Sequence, residues 1–149
     1  MSVMNIQQNV PLGTHSTMRL GGVAAYLTEV EDKNDIKSAV DWAEAKKLPI
    51  IMIGSGSNIV WSDGGFHGLV LVNKLIRFDK NEEDSENIYL TVGAGENWDS
   101  VVERTVKDGL TGIESLSLIP GTAGATPVQN VGAYGQEISQ TLTSVEAYN

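Results

Sequence analysis

Cysteine is absent from the 149 residues, which excludes disulfide bonds, thiolate metal ligands and a cysteine nucleophile. Histidine occurs only as His15 and His67, and neither stands in a carboxylate pattern. We therefore expect surface or capping roles for both histidines and no metal site. Aromatic residues make up 6% of the chain against a hydrophobic fraction of 41%, so the core is predicted to be mainly aliphatic.

Basic residues are also scarce. Ten Lys and Arg stand against nineteen Asp and Glu, which gives a formal net charge of −9. Nucleic acids and anionic membrane surfaces need clustered positive charge, so we expect neither as a partner. The apolar runs are too short to span a bilayer, and residues 1–12 lack the features of a signal peptide. We expect a cytoplasmic protein.

Glycine, by contrast, is concentrated in two segments. Ile119 to Gly135 (IPGTAGATPVQNVGAYG) holds four glycines and two prolines, a composition that favours neither helix nor strand. Gly54 to Asn58 (GSGSN) follows the apolar run Pro49 to Ile53. Two loops with mostly small side chains predict one extended ligand that is held by backbone amides. The GSGSN loop is not a Walker A loop, because no Gly-Lys-Ser/Thr follows, and Ile59 occupies the third glycine position of a Rossmann motif.

The first half of the chain predicts a β-α-β-loop-β unit. Apolar spacing and capping residues locate its elements, and a loop after a parallel strand commonly holds a ligand. The elements are a strand at Tyr26 to Val30, a helix capped by Asp32 or Asn34 that runs to about Lys47, a buried parallel strand at Ile50 to Ile53, and a strand at Leu69 to Val72.

The second half begins with an acidic segment, Asp79 to Asn87, which predicts a solvated hairpin loop or a joint between subdomains. A strand at Ile88 to Val92 and a second helix follow. Asn97 is its predicted cap and Gly109 its end. Thr143 to Tyr148 alternates in the manner of a strand. The inner face of the second helix is predicted to consist of Trp98, Val101, Val102 and Thr105, and Trp61 is also expected in the core.

Four segments together carry a family resemblance: Thr17 to Gly22, Gly54 to Asn58, Gly93 to Trp98, and Ile119 to Gly135. In this order and spacing they resemble the FAD-binding part of the UDP-N-acetylenolpyruvoylglucosamine reductases, over residues 12–149. The resemblance implies an α+β fold, the FAD-binding domain of the vanillyl-alcohol-oxidase (PCMH) type. Its two subdomains would be residues 1–78 and 79–149, with the second truncated and the substrate domain absent.

The resemblance also implies a function. The family uses FAD and NADPH to reduce UDP-N-acetylglucosamine enolpyruvate to UDP-N-acetylmuramate in peptidoglycan precursor synthesis. Its late catalytic motifs and its UDP-sugar-binding C-terminal domain have no counterpart in these 149 residues. We therefore expect no catalytic residue in this chain and no turnover by it alone. The alternative is a free-standing flavin- or nucleotide-binding module that acts with a partner.

In this resemblance the cofactor contacts come from both glycine-containing loops, and Gln129 and Tyr134 are candidates for contact with the substrate. The expected FAD contacts are Gly54, Ser55, Gly56, Ser57, Asn58, Ile119, Pro120, Gly121, Thr122, Gly124, Ala125, Thr126, Val131, Gly132, Ala133 and Tyr134.

Several of these residues have alternative roles. Gln129 and Asn130 are expected to buttress the loop through their side-chain amides rather than touch substrate. Tyr134 fits either core packing or a position facing the substrate. Arg19 is expected to pin the N-terminal segment, with cofactor contact as the alternative. A side chain at Gly124 is expected to fill space that the ligand uses.

Overall fold

Four strands from the first half of the chain form one sheet in the order β1-β2-β4-β3. The computed structural model describes residues 4–82 and 86–148. Strand β1 is antiparallel to β2, whereas β2 and β3 both run parallel to β4. Strand β4 is therefore central, and its run from Gly68 to Asn73 is buried. The strands are β1 (Gln7–Pro11), β2 (Val23–Val30), β3 (Ile50–Ile53) and β4 (Phe66–Asn73).

Helix α1 (Lys33–Ala45) connects β2 to β3, as the sequence predicts. The Asp32 side chain accepts hydrogen bonds from the first turn, and Asp35 completes a capping box. Ala39 and Ala43 are buried against the sheet. The helix ends slightly before the predicted Lys47, because that residue adopts a left-handed φ of 57°.

Strand β3 differs from its prediction. The sequence predicts a buried strand at Ile50 to Ile53, but β3 is the edge strand of the sheet, and Ile50 and Met52 are 36% and 42% exposed. The cause is topological, since β4 inserts between β2 and β3. Only one face of β3, that of Ile53, reaches the core.

The second half contains a hairpin and a helix, as predicted. Strands β5 (Phe78–Glu82) and β6 (Ile88–Val92) pair antiparallel. The sequence predicts a solvated loop or joint from Asp79 onward, but Asp79 to Glu82 instead form most of β5. Residues 83–85 of the acidic segment lie outside the described residues. Helix α2 (Trp98–Lys107) begins where Asn97 accepts a hydrogen bond from the Ser100 N–H. All four residues predicted for its inner face are buried.

Short elements follow α2. Strands β7 (Gly132–Ala133) and β8 (Gln136–Glu137) form a small hairpin. Single turns of 3-10 helix cover Leu12–His15, Glu114–Leu116, Ala123–Ala125 and Ile138–Gln140.

The strand predicted at Thr143 to Tyr148 does not form. No strand pairing among the described residues includes this segment, and Val145 and Tyr148 are 58% and 57% exposed. Alternating polar and apolar residues favour a strand, but a strand forms only where the edge of another strand is available for pairing. The segment instead contacts α1 through an ion pair between Lys33 and Glu146.

The two tryptophans predicted in the core are both buried. Trp61 packs with Leu12 and Val70 under the first sheet. Trp98 packs with Leu116, and its indole N–H donates to the Leu116 carbonyl oxygen at 2.9 Å. In the described parts of the chain, no helix has both the length and the apolar character needed to cross a bilayer.

Candidate functional site

The first loop (Gly54 to Asn58) leaves β3 at the carboxyl end of that strand. It rests against the N-terminal 3-10 turn. The Gly56 carbonyl accepts from the Thr17 N–H at 3.2 Å, and a Cβ on Gly56 would overlap the His15 carbonyl oxygen. With a φ of 71° as well, this position requires glycine. Sequence reasoning missed this contact with His15, because the two residues are 41 positions apart and come together only in the fold.

The second loop (Ile119 to Gly135) lies opposite the first, and three contacts join them. The Ser57 hydroxyl donates to the Pro120 carbonyl oxygen at 3.1 Å, and the Asn58 side-chain amide donates to Gln129 Oε1. Gly54 packs directly against the Thr122 side chain. The structure thus brings together the two loops that the sequence predicts as one site.

Backbone amides of both loops remain available to a ligand. Within residues 4–82 and 86–148, none of the five N–H groups of the first loop donates to a protein acceptor. The same holds for Ile119, Gly121 and Thr122 in the second loop. The amides from Ala123 to Thr126 instead form hydrogen bonds within the fold. Among the described residues, both loops therefore contribute backbone N–H groups without a protein acceptor, the first loop along its whole length and the second loop at its start.

The start of the second loop is held by α2. Asp99 accepts from the Leu118 N–H at 2.7 Å and from the Ser117 hydroxyl at 2.9 Å. These two hydrogen bonds, with that of Leu118 the larger contribution, hold the pKa of Asp99 below its usual range. Leu118 is strained at a φ of 62° and 83% exposed. Sequence reasoning missed Asp99, because an acidic residue in the first turn of a helix normally serves that helix.

Glu96 supports the same loop from the turn before α2. Its backbone carbonyl accepts from the Ala123 N–H at 2.9 Å, and the Gly121 carbonyl accepts from the Trp98 N–H at 3.2 Å. The Glu96 side chain is buried and lies 3.7 Å from the Arg104 guanidinium. Its role in the structure is therefore to fix the second loop on α2.

Gly124 does not face open space. A Cβ there would lie 2.6 Å from the Cβ of Ala94, and the Gly124 N–H donates to the Ala94 carbonyl oxygen at 3.0 Å. The expectation that a side chain at Gly124 fills ligand space is therefore wrong, since Ala94 occupies that space. Val131 is also part of the core. It is 5% exposed. Its N–H donates to the Thr126 carbonyl oxygen, and its own carbonyl accepts from the Ile138 N–H.

The amide side chains of the second loop hold it in place. The Asn130 side chain donates to Glu137 Oε2 at 2.8 Å and accepts from the Ser139 N–H at 3.3 Å, while Gln129 contacts Asn58. Both amides therefore buttress the loop, as the sequence predicts. Arg19 has an exposed side chain, and its backbone N–H donates to the Ser16 carbonyl at 3.0 Å.

Tyr134 borders an open groove of about 650 Å³ along the second loop. It is 95% exposed and adopts a φ of 52°, so the core-packing alternative for this residue is wrong. Ile119 and Gln129 line the same groove.

The two loops carry no formally charged side chain of their own. Neither loop contains an acidic, basic or histidine side chain, and the described residues contain no cluster of three or more possible metal-binding side chains. Free amides on two facing loops fit the phosphates of a dinucleotide such as FAD, because such amides bind oxyanions without a cationic side chain.

Comparison with known proteins identifies the family of this chain. Residues 24–149 match the FAD binding domain family. The UDP-N-acetylenolpyruvoylglucosamine reductase of Thermobifida fusca is 43% identical over 95% of this chain and 40% of its own length. That of Saccharopolyspora erythraea is 47% identical over 91% of the chain and 37% of its own length.

A solved structure is similar too. The crystal structure of UDP-N-acetylenolpyruvylglucosamine reductase from Thermus caldophilus matches 92% of this chain and 46% of its own, with a TM-score of 0.71 and 26% identity. The chain thus spans about 40% of the length of the curated relatives it matches. It belongs to the FAD binding domain family, with the mixed α and β fold of the PCMH type, and is homologous to the FAD-binding portion of the UDP-N-acetylenolpyruvoylglucosamine reductases.

Proposed function

We propose that this chain binds FAD between its two loops and forms the flavin part of an NADPH-dependent reductase. The reductase would convert UDP-N-acetylglucosamine enolpyruvate to UDP-N-acetylmuramate in peptidoglycan precursor synthesis, in the cytoplasm. The observation that carries the proposal is the set of free backbone amides on two loops that contact each other. The printed activity of the relatives supports the substrate and the reaction.

In this proposal the residues of the chain bind FAD and orient it. Amides of Gly54 to Asn58, with those of Gly121 and Thr122, would hold the phosphates of FAD. When bound, FAD supplies the hydride chemistry between NADPH and the enolpyruvyl ether. Tyr134 extends from the groove beside the second loop, where its phenol would face the substrate.

The 149-residue chain alone is expected to show no turnover. Reduction of an enol ether needs a group that protonates the substrate. The family resemblance implies that this group lies in the C-terminal domain, and these 149 residues match only about 40% of the length of the relatives. A positioned proton donor contributes about 10²- to 10⁴-fold in rate. Positioning of the acceptor carbon contributes further.

Two measurements test the proposal. Mass analysis of the flavin retained by the purified chain should give FAD, and FMN as the sole species would refute the assignment. NADPH oxidation dependent on the UDP-sugar should be absent from the FAD-loaded chain. Turnover of about 1 s⁻¹ or more, an ordinary enzymatic rate, would show that the chain holds catalytic groups that we have not assigned.

A further inference from the structure

An amide pair joins the two loops. Asn58 lies at the end of the first loop and Gln129 within the second, 71 positions further along the chain. The Asn58 side-chain Nδ2 donates to Gln129 Oε1, and both residues are exposed. The neighbouring bond from the Ser57 hydroxyl to the Pro120 carbonyl is 3.1 Å long. Two side-chain hydrogen bonds therefore join the loops at their surface.

An exposed hydrogen bond of this kind contributes little to folding, because water competes for both amides. A ligand that covers the loops removes that water, and the same bond then becomes stronger in the lower dielectric. A contact that already fixes the loop separation also reduces the ordering cost of binding. The pair should thus matter more for ligand affinity than for stability.

We propose that Asn58 and Gln129 form a positioning pair that sets the separation of the two loops for FAD. Gln129 acts through Asn58, because its side-chain oxygen accepts a hydrogen bond from the Asn58 amide. This inference rests on the proposed binding of FAD. It further identifies the two side chains that hold the free amides of one loop at a fixed distance from those of the other.

Single substitutions can remove the hydrogen bond between Asn58 and Gln129 while leaving the rest of the loops unchanged. Gln129→Met keeps the length of the side chain but removes the acceptor, and Asn58→Leu removes the donor. Gln8→Met is the matched control, because Gln8 is an exposed glutamine on β1 outside both loops.

The measurement is the FAD dissociation constant of the 149-residue chain, from titration of flavin fluorescence, together with the melting temperature of the flavin-free chain. Gln129→Met and Asn58→Leu should each weaken FAD binding roughly two- to tenfold, with little change in melting temperature. The double variant should be no weaker than the weaker single variant. Gln8→Met should bind like the wild type.

The outcomes separate the two proposals. A wild-type chain that does not bind FAD would refute the proposed function and this inference with it. If the wild type binds FAD but Gln129→Met binds equally well, the positioning pair alone is refuted. Additive losses in the double variant would also overturn it.

Discussion

Replacing Gly54 with alanine is expected to push the two loops apart. A Cβ at this position would overlap Thr122 Oγ1 and lie 3.1 Å from its Cγ2 and 3.2 Å from its Cβ. The backbone of Gly54 is outside the left-handed region, so an alanine meets no conformational penalty there. The whole effect of the substitution therefore comes from crowding against Thr122.

The magnitude follows from the burial of Thr122. Its side chain is 8% exposed and has little room to turn away. Overpacking of a buried site costs about 1–3 kcal/mol. For a chain of this size, each kcal/mol lowers the melting temperature by roughly 2–4 °C, so Gly54→Ala should lower it by about 2–12 °C. FAD affinity should fall as well, because the free amides of the two loops move apart.

The assay compares melting temperatures of the flavin-free chain and FAD dissociation constants across four variants. Gly64→Ala is the matched control, since a Cβ there meets only Ser62 Oγ, at an ordinary 3.6 Å. Thr122→Ala removes both Oγ1 and Cγ2, so Gly54→Ala should cost much less in that background. Equal costs of Gly54→Ala in both backgrounds, or a Gly54→Ala variant that matches the wild type, would refute the reasoning.

Three further predictions concern the second loop. The lowered pKa of Asp99 means that the stability it supplies is present above its unfolded pKa and is lost as pH falls through the folded value. Between neutral pH and below about pH 4, the melting temperature should therefore fall less in Asp99→Asn than in wild type, and parallel pH curves would contradict this. Gly124→Val should lower the melting temperature of the flavin-free chain, because Ala94 blocks the new side chain; an unchanged value would show that Ala94 gives way. Tyr134→Ala should leave that temperature nearly unchanged, since the residue is 95% exposed, and a clear drop would reveal a structural role.

The helices were predictable because their signals are local. Asp32 and Asn97 cap the first turn within three residues, and the buried face of α2 repeats with helical spacing. Strand β5 was missed, because Asp79 to Glu82 are all polar or charged, whereas β6 was predictable from its own residues. Such features depend on residues that are close in sequence.

The errors concern contacts between distant segments. The exposure of Ile50 depends on β4, which lies some twenty residues further on and inserts beside β2. Thr143 to Tyr148 has the pattern of a strand, but its pairing depends on a partner edge that the pattern does not encode. The sequence does not show that the space beside Gly124 is filled, because Ala94 is 30 positions away and contacts Gly124 only in the folded chain.

The composition of the loops explains why they form one site in an acidic chain. With a net charge of −9, the chain as a whole repels an anionic ligand at long range. Attraction must therefore come from amide dipoles, which act only at short distance, and large side chains would keep the ligand away from them. Gly54 and Ser57 meet this requirement and also let the first loop touch Thr122 and Pro120. The same small residues that expose the amides to a ligand thus allow the two loops to support each other.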